Sequence, residues 1–218
     1  MYFSSRLQAG RMLAAQLAPK YRYENCVVVA LNDGGVMVGA QIAMALHCAL
    51  MMLMSEEITL PRENDAIAGI TSEGNFTYNP AYSSGEIEEM TSEYFNLIEQ
   101  EKLERMHHMN ELLGSGGMMR RDLLKGHNVI LVADGLGNGF LLDLAVEFLK
   151  PINTEKIVIA TPIASVSAVD RMHIVADDIY CLSVPGEFMD VAHYYDKQDI
   201  PDHETVVKTL QDVILHWK

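Results

Sequence analysis

The sequence predicts an α/β fold, a mostly parallel central sheet with helices on both faces. Three observations lead there. Between Asn128 and Leu182 short apolar, β-branched runs alternate with amphipathic stretches, the pattern of crossover connections in a parallel sheet. An earlier unit, Cys26 to His47, has the same order of strand, tight turn and helix. In both places the strand runs into a glycine-containing turn, where open α/β sheets expose backbone N–H groups to ligands.

The elements follow in order. Leu7, Met12, Leu13 and Leu17 recur at near-helical spacing, so a helix is predicted over Ser4 to Leu17 with Ser4 or Ser5 as its cap. Cys26 to Leu31 reads as a buried strand ended by Asn32-Asp33-Gly34-Gly35. A helix from Val36 to His47 and a strand from Ala49 to Met54 come next. AIAGIT and FTY, separated by Ser72-Glu73-Gly74-Asn75, predict a hairpin or a pair of short edge strands. Ser84 to Leu113 is rich in Glu, Leu and Met without proline and predicts one long, mostly exposed helix or two shorter ones. Gly114 to Gly117 then forms a flexible link. The second half predicts strands at Asn128–Val132, Lys156–Ala160 and Ile179–Leu182, and helices at Phe140–Lys150 and Val166–Ile174. A last helix over Glu204 to Trp217 has Val206, Leu210, Val213, Ile214 and Trp217 on its apolar side.

Composition narrows the function classes. Of 218 residues, 49% are hydrophobic and 21% charged, the balance of a globular chain rather than a disordered one. Sixteen Lys and Arg against thirty Asp and Glu leave a net charge of -14, which argues against nucleic acid and anionic membrane as partners. The N-terminus lacks the continuous apolar run and small-residue cleavage site of a secretory signal. The longest apolar stretch, Ala40 to Met54, falls short of the ~20 residues of a spanning helix. A cytoplasmic location is expected. Cys26, Cys48 and Cys181 are far apart, lie in apolar runs and have no CxxC spacing, so they read as reduced core thiols.

Two turns are candidates for chemistry, Asn32 to Gly35 and Asp134-Gly135-Leu136-Gly137-Asn138-Gly139. The second has GxGxG spacing rather than a dinucleotide fingerprint, and no Lys-Ser or Lys-Thr follows it as a Walker A loop requires. The stretch VILVADGLGNGFLLDLA resembles instead the ribose-phosphate loop of type I phosphoribosyltransferases. FSSRLQAGRMLAAQLA, VVVALNDGGVMVGAQIA, IVIATPIAS and LSVPGEFMDVAHYY carry the resemblance along nearly the whole chain, in order, toward a bacterial subgroup of stand-alone members. The resemblance implies a phosphoribosyltransferase-type, Rossmann-like fold over residues 1–218. It also implies a small hood from about residues 1–20 and 185–218, and an exposed helical and flexible segment over about 84–125.

In that family two acids hold the ribose hydroxyls of phosphoribosyl pyrophosphate (PRPP). Threonines and amides hold its 5'-phosphate, and the first turn and a following basic segment receive the pyrophosphate with Mg2+. Here the first acid is Ala133, leaving Asp134 alone, and the threonine positions are Asn138 and Leu141. Pro-Arg-Gly-Gly has become Asn32-Asp33-Gly34-Gly35, and Arg-Lys has become Glu56-Glu57, so three expected cations are anions. Losing these contacts removes on the order of 5–10 kcal/mol at roughly 1.5–3 kcal/mol for each charge-assisted bond.

The expectation is a homologue with weak or no PRPP chemistry that acts in binding, regulation or scaffolding. The alternative is an active transferase of divergent specificity, with Asp134 on the ribose and the Gly135 to Gly139 amides on a phosphate. A small phosphorylated or sugar ligand and a homodimer are the expected partners, with Mg2+ only if PRPP binding is retained. Two readings of the glycines stand side by side: an anion cradle, or an inherited tight turn. Asp33, Glu56, Glu57 and Asp134 are a candidate acidic cation pocket, although Glu56 and Glu57 equally read as solvent-facing acids. Tyr194 and Tyr195 stand on the base side or in the packing of the C-terminal segment. Arg120-Arg121 is either a solvated loop or a replacement for the lost cations. His107, His108, His173, His193, His203 and His216 show no metal-binding motif.

Overall fold

The computed structural model describes residues 2–61, 63, 65–113 and 119–215. The Gly114 to Gly117 link, His216 and Trp217 lie outside these residues, as do the side chains of His203 and Ile214.

Helix α1 (Arg6–Tyr21) starts where Ser5 caps it, the hydroxyl accepting from Gln8 N at 3.2 Å. It runs one turn beyond the expected end, past Pro19, and buries Tyr21. Strand β1 (Cys26–Ala30) is buried throughout. Helix α2 (Asp33–Leu46) begins three residues earlier than the sequence pattern indicates, because Asn32 caps it: Oδ1 accepts from Gly35 N at 2.7 Å. Gly34 and Gly35 therefore form its first turn. His47 ends it in the left-handed region at φ 54°.

Strands β2 (Ala49–Met52), β6 (Asn128–Val132), β7 (Lys156–Ile163) and β8 (Asp178–Ser183) join β1 in a five-stranded sheet of order β2-β1-β6-β7-β8, every pair parallel. β7 extends three residues further than expected. Pro162, which lacks a donor, falls between the paired positions Thr161↔Cys181 and Ile163↔Ser183 and so does not end the ladder.

A second, antiparallel sheet has order β3-β4-β5, from β3 (Ser55–Ile58), β4 (Ala68–Thr71) and β5 (Phe76–Tyr78). The last two are the expected hairpin. β3 was not expected; Glu56 and Glu57 lie on this edge strand, paired with Ile70 and Gly69. Helix α3 (Ser84–Leu113) is two helical runs meeting at Tyr94, where φ −110° and ψ 21° leave the helical region. Its start carries a capping box, in which Ser83 N donates to Glu86 Oε2 at 2.8 Å and Glu86 N donates to Ser83 Oγ at 3.3 Å.

Helices α4 (Phe140–Leu149), α5 (Val166–Val175) and α6 (His203–Leu215) complete the order. The two faces of the parallel sheet bury separate clusters, as strand alternation requires. Val28, Ala30, Ile130 and Val132 pack with α1, α2 and α6, while Val27, Val29, Leu131 and Ala133 pack with α4 and α5. Cys26, Cys48 and Cys181 are free thiols, and burial pushes Cys26 up to about 11 and Cys48 up to about 12, which keeps both protonated and inert. Among the described residues no helix is long and apolar enough to cross a membrane.

Candidate functional site

Register brings the two candidate turns together. β1 and β6 pair from Cys26↔Asn128 to Ala30↔Val132, and Leu31 N donates to Val132 O at 2.9 Å. The chain then leaves both strands at the same edge of the sheet, placing Asn32–Gly35 beside Asp134–Gly139.

The rear of this junction is a buried ionic knot. Arg6 is 0% exposed and Asp134 4%. Arg6 Nε donates to Asp134 Oδ2 at 2.7 Å, and Asn32 Nδ2 donates to Asp134 Oδ1 at 2.9 Å. Arg6 Nη1 donates to Asp199 Oδ1 at 3.0 Å, its backbone N–H donates to Asp199 Oδ2 at 3.2 Å, and its guanidinium lies 4.3 Å from the centre of the Tyr195 ring. Tyr195 OH donates to the Asp134 carbonyl at 2.6 Å. Gly34 closes the knot from α2: a Cβ there would stand 2.0 Å from Asp134 Oδ2 and 2.8 Å from Arg6 Nε. Burial alone lowers the Arg6 pKa, but the charge of Asp134 and the hydrogen bonds to Asp134 and Asp199 outweigh it, so the pKa is raised. The Tyr195 hydroxyl is also raised, by burial first and then by the Asp134 charge. Both carboxylate oxygens of Asp134 are thus occupied by protein donors.

The front of the loop is built differently. Leu136 bridges to Ala164, with Leu136 N donating to Ile163 O at 3.0 Å and Ser165 N to Leu136 O at 2.9 Å. Gly135 is buried beneath Val191, whereas Gly137 and Asn138 are exposed. Gly139 caps α4 at φ 79°, a conformation that costs an L side chain about 1–2 kcal/mol. Asn138 Oδ1 accepts from Phe140 N at 3.1 Å, leaving its Nδ2 as a free donor among the described residues. The amides of Gly137, Asn138 and Gly139 likewise donate to no protein acceptor among the described residues. These donors crown the start of α4, where the helix dipole also favours an anion. Leu141 turns into the apolar cluster of that face.

The other expected site residues fall elsewhere or face inward. Tyr194 is buried, its hydroxyl donating to Glu187 O at 3.1 Å and accepting from Met189 N at 3.0 Å. Its ring stacks on Phe188, and Phe188 lies over Gly137. Glu56 accepts from Arg105 Nη1 at 3.1 Å and meets His108 Nδ1 at 2.6 Å, both on α3. Burial first, and then Asp65, raise the Glu57 carboxyl. Asp33, Glu56, Glu57 and Asp134 therefore do not gather into the expected acidic cation pocket. Asp134 and Glu56 are neutralised by separate arginines, and among the described residues no group of three or more His, Cys, Asp or Glu gathers to hold a metal. Arg120 is paired with Asp122 and Arg121 with Glu73.

Asn32 lies in the first candidate turn, whereas Arg6 and Asp199 join the site from outside both turns. One sequence signal points to Arg6: it falls on the stripe of Ala9, Gly10, Leu13 and Leu17 that α1 buries, and a guanidinium on a core stripe requires a buried acid. Nothing in the sequence identifies Asp199, more than 190 residues away, as one of its partners.

Comparisons with known proteins agree with this architecture. The crystal structure of TT1426 from Thermus thermophilus superposes with a TM-score of 0.74 at 25% identity, covering 97% of this chain and 99% of that one. The AQ2163 protein of Aquifex aeolicus shares the fold, with a TM-score of 0.50 at 13% identity over 94% of this chain and 85% of its own. The Mycobacterium tuberculosis H37Rv protein named "Putative phosphoribosyl transferase Rv0571c" is 27% identical over 194 residues, 88% of this chain. The chain spans 43% of the length of that relative. The family described as "Phosphoribosyl transferase domain" matches residues 4–196, which contain both turns and every member of the knot except Asp199, and the chain belongs to that family.

Proposed function

We propose that this chain binds a small phosphate-bearing ligand at the Gly135–Gly139 loop, has weak or no PRPP-dependent transferase activity, and serves as a binding, regulatory or scaffolding member of its family. One observation carries the reading. The single carboxylate left in the ribose-phosphate loop, Asp134, accepts from Arg6 and Asn32 inside the protein, and Ala133 beside it is 1% exposed in an apolar cluster. A ribose diol needs carboxylate acceptors, and the one carboxylate of this loop is already held by protein donors. The amides of Gly137, Asn138 and Gly139, which donate to no protein acceptor among the described residues, remain suited to phosphate oxygens. Mg2+ belongs to this reading only as a companion of a bound pyrophosphate. A cytoplasmic homodimer is part of the same proposal, and sedimentation measures its second half.

Calorimetry of the full chain with PRPP and Mg2+ tests it. The expected result is no micromolar binding, and a micromolar dissociation constant overturns the proposal.

The retained amides also favour a second reading, a transferase of divergent specificity. Such an enzyme would work by holding the phosphate and stabilising an oxocarbenium-like transition state electrostatically, since PRPP brings its own leaving group. Pyrophosphate release from PRPP in the presence of a panel of nucleobases separates the two readings.

A further inference from the structure

We propose that Ser165 is a positioning residue of the phosphate loop: its hydroxyl anchors the Gly137 carbonyl and thereby aims the Asn138 N–H at the ligand. The proposal rests on the reading of this loop as a phosphate site. Ser165 Oγ donates to Gly137 O. The peptide linking Gly137 to Asn138 is planar and trans, so its C=O and N–H point in opposite directions. Anchoring the carbonyl on the α5 side turns the Asn138 N–H to the opposite side, where Asn138 is exposed and the amide has no protein acceptor among the described residues.

Ser165 is itself rigidly held. It is 7% exposed, its N–H is bound to Leu136 O, and its Oγ accepts from Ala168 N at 3.0 Å as the cap of α5. Its one hydroxyl hydrogen is committed to Gly137. In the 2.9 Å contact between Ser165 Oγ and Ser167 Oγ the exposed Ser167 is therefore the donor. The two hydroxyls line up head to tail, from solvent through Ser165 to the loop carbonyl, and hydrogen bonds so aligned strengthen one another.

Capping and positioning use different parts of the side chain, which makes them separable. The cap needs only an acceptor oxygen, which Asp supplies as well as Ser. The loop needs the hydroxyl hydrogen, which Thr retains and which Asp and Ala lack. Amide NMR on the full chain reads both. In Ser165→Asp and Ser165→Ala the Gly137, Asn138 and Gly139 amides are expected to shift, broaden and lose order, while α5 amides stay in place in the Asp variant and all are retained in Ser165→Thr. Titration with inorganic phosphate should show about tenfold weaker binding for Ser165→Ala, the equivalent of one lost charge-assisted bond, and wild-type binding for Ser165→Thr. Loop amides unchanged in both the Asp and Ala variants would overturn the assignment. Absence of phosphate binding by the unaltered protein would instead overturn the phosphate-site reading, with the amide spectra still deciding the role of Ser165.

Discussion

At the Asp134 end of the second turn the carboxylate is satisfied inside the protein, although Arg6 Nη2 is buried without a partner, whereas a few residues later the amides of Gly137 to Gly139 donate to no protein acceptor among the described residues, and Gly137 and Asn138 are exposed. The difference follows from what burial demands. A carboxylate taken out of water needs a full set of donors, and Arg6 and Asn32 supply them. A glycine-rich crest at a helix start can leave its N–H groups to water or an anion without that penalty. One short motif thus contains a half tied into the protein and a half whose amides the protein leaves unbonded, and its acid belongs to the first. The knot also ties distant parts of the chain together, because Arg6 opens α1, Asn32 caps α2, and Tyr195 and Asp199 come from the C-terminal segment.

The largest effect that sharpens this contrast is expected at Arg6. Arg6→Met leaves Asp134 and Asp199 without their shared cation and should cost roughly 3–5 kcal/mol in urea denaturation, as breaking a buried pair does. Adding Asp134→Asn should recover part of the loss, since the unpaired charge causes most of it. A loss below about 1 kcal/mol would mean that the rear half is not structural. Next comes Gly34→Ala. Its Cβ would fall 2.0 Å from Asp134 Oδ2, in contact with groups that cannot yield without opening the knot, and about 1–3 kcal/mol of destabilisation is expected.

In the front half the expected distinguishing effect is on phosphate binding. Gly139→Ala, at φ 79° and with its new Cβ 3.0 Å from Arg171 Cβ, is expected to cost about 1–2 kcal/mol of stability and to weaken phosphate binding by about tenfold. Asn138→Ala, which removes the free Nδ2 donor and the turn to Phe140 N, should leave stability within about 1 kcal/mol of wild type and lower phosphate affinity. Calorimetric titration beside a melting curve distinguishes the two classes. If Asn138→Ala unfolded the protein as Arg6→Met does, the division between the halves would be lost.

Much of this frame is legible in the sequence. Both central strands, β1 and β6, stand out as β-branched runs, and the turns between them and their helices are visible as glycine clusters. Topology then places the turns side by side. β3 was hidden because its four residues include two acids and a single buried side chain, Ile58, so only its pairing with β4 makes it a strand. The orientation of Asp134 was hidden for a related reason. Ala133 and Asp134 point to opposite faces of the strand's end, and strand periodicity does not say which face meets solvent and which meets α1. That decision is made by Arg6, whose partners are fixed by tertiary contact rather than by spacing. The acids at Asp33, Glu56 and Glu57 are plain in the sequence, but the pairing of Glu56 with Arg105 of α3 is not, because it joins residues 49 apart through tertiary contact.

The smallest expected effect lies at the other end of α1, where the same helix carries an ion pair of the ordinary, half-exposed kind. Asp178 accepts from Lys20 Nζ and from the Tyr21 hydroxyl, and these two contacts, Lys20 first, hold its carboxyl below the usual range. A depressed carboxylate stabilises the folded state fully above its unfolded pKa of about 3.9, and that contribution is lost as pH falls through the lower folded value. Asp178→Asn should therefore cost about 0.5–1 kcal/mol near neutrality, within the range of exposed pairs, and flatten the acid limb of stability below about pH 4. Lys20 is 47% exposed where Arg6 is completely covered, so raising the salt concentration should erase most of the Asp178 contribution while leaving that of Arg6 nearly intact. Equal salt sensitivity at the two ends of α1 would show that the Arg6 knot opens to water, and Asp134 would then again be available to a ligand.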